Sequence, residues 1–537
     1  MKKKLTFIGL IILYVFLSLD SKAILYEWGV FYNGPEADVT LNVVKSTDGN
    51  FCVTGTTVTG SGTRLILRCY SDAGVLVRNK LSNITLPGQV LNIVQDDAPN
   101  TYVVCVSGSD TVLMKFNPAM KHKWSRSTPG RVANLRLSSS GDPVIGGIRS
   151  TGLFAARYKH GNGHTRFIYN HTSGSGAGDV VIDNADNIYV GGEVGIYEQD
   201  MNLIKLTGNG VLIWDVIYAK SPSAGGRDRV YKLAVDPFEN VYVFGELQGY
   251  GLTTANISAS KFTSTGAHVW DRHVATAGGC CGALAHSIVF DPSWNPIFLG
   301  VKYDFYNVTP LNETSRIFVN KIDKTTGEVI YFTHPDDIPY SDPMIYSRLT
   351  CVVTGGPTGD IYIGGTNNIG GLLNDRRKFV TRINQNTGLR SWSEGGYDFS
   401  SYENRVNSIL LDGEYVYVGS TEINGSSLQI GLEKYWQLAF PPRLAKENIS
   451  EPEIQGGSLE LKAFPNPFSD NFKLILKNEK SDLKSTIQVF DLSGRIVDKI
   501  ETNESEIELG EHWETGVYLI NVISEGKTRI TRIVKHD

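Results

Sequence analysis

An all-β fold is predicted for this 537-residue chain: a β-propeller of about eight blades, or seven if one copy is irregular, followed by a small Ig-like β-sandwich. Three observations predict it. Gly (56 residues), Tyr (25) and Phe (22) are plentiful, the composition of aromatic and β-branched strands joined by tight turns. A degenerate unit recurs every ~40 to 65 residues through most of the chain, a spacing suited to propeller blades. Beyond residue 459, short alternating runs sit between polar turns, as in a small sandwich. The net charge is −5 and no run of Lys or Arg follows the N-terminus. That excludes the electrostatic footprint of a nucleic-acid binder.

The chain opens with Lys2, Lys3 and Lys4, an apolar run over residues 5–17, and Ser21-Lys22-Ala23. A positive start, a short apolar core and small residues at the exit make residues 1–23 a signal peptide, handled by the Sec translocon and cleaved after Ala23. The apolar run is too short to span a bilayer.

Residues 24–440 carry the repeat. A turn residue recurs as Asn50, Asn100, Asp142, Asn187, Asn240, Asn295, Asp360 and Glu414. Five residues later stand Gly55, Cys105, Gly147, Gly192, Gly245, Gly300, Gly365 and Gly419, with Cys105 the one departure. A basic residue follows within an apolar run: Arg68, Lys115, Arg157, Lys205, Lys261, Lys321, Arg382 and Lys434. Trp124, Trp214, Trp270 and Trp392 come next in four copies. An alternating strand ending at an Asx-type turn, a second returning to glycine, a third with the cation and a fourth with the bulky group make one four-stranded blade. The last copy runs out near Lys434-Tyr435-Trp436, while Tyr26-Glu27-Trp28-Gly29-Val30-Phe31 reads as an orphan fourth strand. The N-terminal strand is therefore expected to complete the final blade and oppose fraying of the ring. The unit is similar to the bacterial repeats known simply as β-propeller repeats, a family label that implies no activity.

Residues 441–458 combine Pro, Gly and charge and read as a linker. Residues 459–537 follow with Lys462-Ala463-Phe464-Pro465-Asn466-Pro467-Phe468, then Val489-Phe490-Asp491-Leu492-Ser493-Gly494-Arg495, then Gly516-Val517-Tyr518-Leu519-Ile520, and finally Arg532-Ile533-Val534-Lys535. In this order these pieces resemble the type A C-terminal sorting domain of type IX secretion cargo. The resemblance gives Pro465, Asn466, Pro467, Asp491, Gly494, Arg495, Gly516, Tyr518 and Lys535 the role of sorting motif. It implies the type IX machinery of a Bacteroidetes-type bacterium as partner, and a destination in the medium or on the outer-membrane surface.

In a four-stranded meander the turns joining strands one to two and three to four share one face, and here they are mostly short. Strand two-to-three and blade-to-blade connections share the other face, and several are long. Function in such rings sits on irregular loops held by a rigid scaffold. The binding candidates on the long-loop face are Arg227, Asp228, Tyr303, Asp304, Tyr306, Asp336, Asp337, Tyr340, Asp342, Tyr346, Arg376 and Arg377. Tyr beside Asp or Arg offers stacking area with hydrogen bonds and suits an extracellular glycan or protein ligand; an ordinary solvated loop uses the same residues. Asp336, Asp337 and Asp342 could also seat Ca²⁺ or serve as a carboxylate pair in glycoside hydrolysis, though Asp pairs in Pro-rich loops are more often turn formers.

Six cysteines are read against an oxidising destination. Cys52 and Cys69 are equidistant from Gly60-Ser61 and would face each other across a hairpin, where a disulfide is geometrically conceivable. The adjacent Cys280 and Cys281 are two thiols or a vicinal disulfide. Two segments, over residues 322–327 and 382–388, are similar to the blade motif of eight-bladed quinoprotein dehydrogenases, but no metal-ligand set matches residue by residue. No Cys-x-x-Cys pair, His-Glu-x-x-His, nucleotide loop or Gly-x-Ser-x-Gly elbow occurs. The expected function is a noncatalytic glycan- or protein-binding or adhesion module, with no cofactor unless Ca²⁺ binds. The alternative is an extracellular polysaccharide hydrolase or lyase on the long-loop face.

Overall fold

The computed structural model describes residues 23–34, 37–108, 110–195, 199–220, 228–247, 257–275, 283–305, 313–334, 346–355, 359–368, 376–395, 404–424, 427–440, 460–464, 468–477, 484–491, 496–524 and 527–535. The expected signal peptide up to Lys22, the linker and the Cys280-Cys281 pair lie outside them. The chain divides into two compact units, Tyr26–Trp436 and one containing Gln437–Asp537.

Among the described residues of the first unit, seven four-stranded antiparallel meanders follow one another, and an eighth blade is completed by the N-terminal strand. The first strands of the eight blades are Asp38–Lys45, Val90–Gln95, Arg131–Leu137, Gly176–Ile182, Asp228–Val235, Ala283–Phe290, Tyr346–Gly355 and Arg405–Asp412. Each first strand packs against the next and the eighth packs against the first, so the ring closes. Six blades are separate sheets. Blades 6 and 7 merge into one eight-stranded sheet through a single parallel pair, Ser315 with Tyr346. Ala23–Tyr32 is the outermost strand of blade 8, beside Ser427–Phe440.

The recurring glycine has a backbone cause. Every first strand carries a bulge at one place, from Thr40/Asn42 in blade 1 through Val230/Lys232 in blade 5 to Val406/Ser408 in blade 8. In blade 5, Val230 just before the bulge faces Gly245. A Cβ on Gly245 would come within 1.8 Å of the Arg229 carbonyl oxygen, and one on Gly147 within 2.0 Å of that of Arg131. In these blades the carbonyl ahead of the bulge occupies the space a side chain would need, whereas blade 2 carries the same bulge with Cys105 opposite it.

The cation and the tryptophan lock neighbouring blades. In blade 5 the Lys261 ammonium lies 5.5 Å from the centre of the Tyr242 ring, and Trp270 tilts against the same ring at 6.2 Å. Lys261 Nζ and Trp270 Nε1 both donate to the Lys324 carbonyl, in the last turn of the next blade, at 2.6 and 3.3 Å. That turn ends at Gly327, whose φ of 71° and closeness to the indole leave no room for a Cβ. Blade 2 repeats the arrangement with Tyr102, Lys115 and Trp124 on the His160 carbonyl. Blade 8 repeats it with Tyr417, Lys434 and Trp28 on Asp72. Trp28 comes from the N-terminal strand, so ring closure uses the lock that joins internal blades.

Blade 1 departs from this chemistry. Register puts Cys52 opposite Cys69, at the place where Tyr242 faces Lys261, and the two cysteines are disulfide-bonded. Arg68, taken from the sequence as the basic landmark, is one residue out of register. Successive strand residues face opposite sides, and Arg68 instead covers Tyr32 of the N-terminal strand at 4.3 Å.

The second unit has two sheets. Glu460–Phe464, Phe472–Lys477 and Glu506–Leu509 form one; Ile496–Thr502, Ser485–Asp491, Gly516–Ser524 and Lys527–Lys535 form the other. Phe468, Phe472, Leu474, Ile487, Trp513, Tyr518 and Ile520 fill the core. The alternating runs of the sequence fall within the strands Phe472–Lys477, Ser485–Asp491, Ile496–Thr502, Gly516–Ser524 and Lys527–Lys535, and Glu460–Phe464 and Glu506–Leu509 add two more. The Tyr518 hydroxyl donates to the Glu514 carbonyl at 2.5 Å, pinning the entry to its strand much as a tyrosine corner does.

Candidate ligand-binding faces

Of the long-loop residues, Arg227, Tyr306, Asp336, Asp337, Tyr340 and Asp342 lie outside the described residues. The merged sheet brings others together. Tyr303 faces Ser315, Ser315 pairs with Tyr346, Tyr346 faces Asn368, and Asn368 faces Arg376. These five backbone positions form one row across blades 6 and 7, at the strand ends that carry the long connections. Asp304 and Arg377 stand in adjacent register, opposite Thr314 and Asn367. Of the sorting-motif residues, Asp491, Gly516, Tyr518 and Lys535 fall on strands. Lys535 Nζ donates to the carbonyls of Gly510 (2.8 Å) and Glu511 (3.2 Å). Pro465, Asn466, Pro467, Gly494 and Arg495 are outside the described residues.

Asp228 is buried at the start of its strand. Its carboxylate accepts from the Lys220 backbone N–H at 2.7 Å. Asp38, at the matching place in blade 1, accepts from the Gly34 N–H. Both carboxylates anchor the connection entering their blade. Beside Asp228, the Tyr231 hydroxyl donates to Glu246 at 2.9 Å and Arg229 lies 3.6 Å from Glu193. Burial, then the Glu246 charge, raises the Tyr231 pKa, so its phenol remains a donor at neutral pH.

Sequence reasoning missed a second ionic group on this side of the ring. Lys378 reaches Glu422 and, at 2.6 Å, Glu433. Burial alone would lower the Lys378 pKa, but the Glu433 and Glu422 charges outweigh it and raise it. Its members lie on three strands of two blades, so no local spacing betrays it. His286 sits on the bulge of blade 6, bonded to the Ser287 hydroxyl at 2.7 Å. Burial and the nearby Lys232 charge push its pKa down to about 4, leaving a neutral imidazole at pH 7. Among the described residues no group of three or more His, Cys, Asp or Glu side chains could hold a metal ion.

A propeller carrying a compact C-terminal sandwich is the class that this architecture defines. Residues 462–536 match the Secretion system C-terminal sorting domain. The chain is therefore type IX secretion cargo with a β-propeller domain, bound for the exterior or the outer-membrane surface through that machinery. No curated protein matches it in sequence. Solved structures similar to it include the Dos1 propeller, at 8% identity and TM-score 0.47 over 77% of this chain and 96% of that one. Sqt1 from Chaetomium thermophilum is similar at 10% identity and TM-score 0.47, over 77% and 99%. A PL25 ulvan lyase bound to a saccharide is similar at 11% identity and TM-score 0.41, over 64% and 91%. These likenesses concern the fold alone.

Proposed function

We propose that the propeller is a noncatalytic binding module for an extracellular glycan or protein, working from the long-loop side of blades 6 and 7. One observation carries this reading: the shared sheet lines up Tyr303, Ser315, Tyr346, Asn368 and Arg376 in one row. Strands stand ~4.8 Å apart, so five of them span roughly 19 Å, enough for several sugar rings or a short peptide. Tyr and Arg supply stacking area and fixed donors. A closed ring holds the row in place before ligand arrives, which lowers the ordering cost of binding. Arg227, Asp228, Asp304, Tyr306, Asp336, Asp337, Tyr340, Asp342 and Arg377 belong to the same face in this reading.

Binding of the mature protein to a glycan array and to extracellular protein fractions tests it. Tyr303→Ala and Arg376→Ala should each weaken binding about tenfold without changing the melting temperature. Turnover of a polysaccharide that disappears in Asp336→Ala or Asp337→Ala would replace the binding reading with the hydrolase or lyase one. Removal of residues 459–537 should leave the protein inside the cell envelope, and normal release of that truncation would count against the sorting role.

A further inference from the structure

On the face opposite the long loops, two neighbouring turns depart from the repeat. The turn between first and second strands has two positions before its recurring Asn, Asp or Glu. They read Asp48-Gly49, Ala98-Pro99, Ser140-Gly141, Ala185-Asp186, Phe238-Glu239, Ser293-Trp294, Thr358-Gly359 and Asp412-Gly413. Aromatics occur only in blades 5 and 6. The second position is left-handed, with φ of 80° at Gly49, 75° at Gly141, 64° at Asp186, 63° at Glu239 and 65° at Trp294. A bulky residue there strains the backbone where Gly would not.

Asp186 and Glu239 put the position to use. Asp186 accepts from the Ser139 N–H at 2.8 Å and pairs with Arg157, and Glu239 pairs with Lys205 at 2.5 Å, each tying its turn to the preceding blade. Trp294 holds the matching place in blade 6, where the preceding blade offers Lys261, whose ammonium goes to the Lys324 carbonyl. The indole brings no ion pair to the ring. It tilts against Phe290 at 5.8 Å and stays 37% exposed; Phe238 is 63% exposed. Lys324 joins the two turns, its ammonium 5.9 Å from the Phe238 ring centre and donating to the Ser293 carbonyl at 2.6 Å. Pro237 and Pro292 stiffen both turns.

We infer that Phe238, Lys324 and Trp294 form a second ligand site, for the C–H face of a pyranose ring in a neutral polysaccharide. Two aromatic side chains present at most ~150–250 Å² each, well short of the roughly 800 Å² per partner of a stable protein interface. A sugar ring fits that area: its apolar face stacks on an aromatic, and its hydroxyls accept from an ammonium. The Trp294 indole packs on Phe290 with one part and leaves 37% of the residue exposed beside Lys324. The site is independent of the long-loop face.

Affinity gel electrophoresis of the mature protein in soluble β-glucan, xylan and mannan tests this, with Trp294→Gly, Phe238→Ala and Tyr303→Ala beside the wild type. Gly suits the left-handed position, so Trp294→Gly keeps or raises the melting temperature and separates lost contact from lost fold. Both platform variants should bind at least one of these polysaccharides about tenfold more weakly, while Tyr303→Ala stays within about twofold for that polysaccharide. The inference is overturned if the wild type is retarded by none of them, or if both platform variants are retarded as the wild type is.

Discussion

Blades 1 and 5 hold the same pair of facing positions by different chemistry. In blade 5, Tyr242 faces Lys261, and the ammonium that lies over the ring also reaches the next blade at Lys324. In blade 1, Cys52 faces Cys69 and the link is covalent. A disulfide has no N–H to give, so blade 1 reaches blade 2 by other means. Thr47 N–H donates to the Asp97 carbonyl at 2.8 Å, and Met120 of blade 2 is buried in the core that takes both cysteines. Joining strands within a blade and joining one blade to the next are thus separable tasks. The cation–aromatic pair performs both; the disulfide performs the first and leaves the second to a backbone hydrogen bond and packing.

The largest test of that division lies at the clasp, where the lock is supplied by the N-terminal strand. Trp28→Ala removes the bond to the Asp72 carbonyl and the indole packed on Gly74. It should cost about 3 kcal/mol, seen as a lower urea midpoint. Next comes blade 1 itself. Replacing Cys52 and Cys69 together by Ala should cost about 2–3 kcal/mol. Cys52→Tyr with Cys69→Lys should then recover about 1 kcal/mol of it. No recovery would mean that the two chemistries are not equivalent.

Acid separates the disulfide of blade 1 from blade 3, whose cation Arg157 pairs with the Asp142 carboxylate at 3.3 Å, because a disulfide does not titrate. Burial opposes ionisation of Asp142, but hydrogen bonds from His160 and Arg166 outweigh it and hold its pKa down to about 2. The folded pKa lies below the unfolded value near 4, so this stability is complete above about pH 4. It is lost as pH falls toward 2, and amounts to about 2 kcal/mol. Hydrogen exchange at pH 3 should show blade 3 losing protection before the Cys52–Cys69 hairpin of blade 1. The smallest effect is Lys261→Met, about 1 kcal/mol, because burial already lowers the pKa of this ammonium and offsets part of its attraction to the Tyr242 ring and the Lys324 carbonyl.

Much of the fold was legible in the sequence because its signals are local. The Asx turns repeat as Asp183 with Asn187, Asp236 with Asn240 and Asp291 with Asn295, each closed by side-chain bonds within five residues. The orphan strand around Trp28 could be read because a blade short of one strand leaves a complement at the other end of the chain. The basic landmark failed in blade 1, where Arg68 and Cys69 are neighbours and a one-residue slip exchanges the two faces of a strand. The candidate site was legible as residue types on long loops. Its row was not, because it depends on a parallel bridge between residues 315 and 346, in different blades. Phe238 and Trp294 were visible as letters, but their departure from the repeat acquires meaning only beside the φ values and ion pairs of the equivalent turns.

By itself the sequence determined the repeat, its turns, the closing strand and the export tail, all written in short spacings and side-chain bonds to nearby backbone. Tertiary structure alone decided which residue of an adjacent pair faces inward, why glycine recurs opposite the bulge, and which distant strands share a sheet. Those outcomes rest on carbonyls, ring faces and strand registers that meet only when the ring is closed.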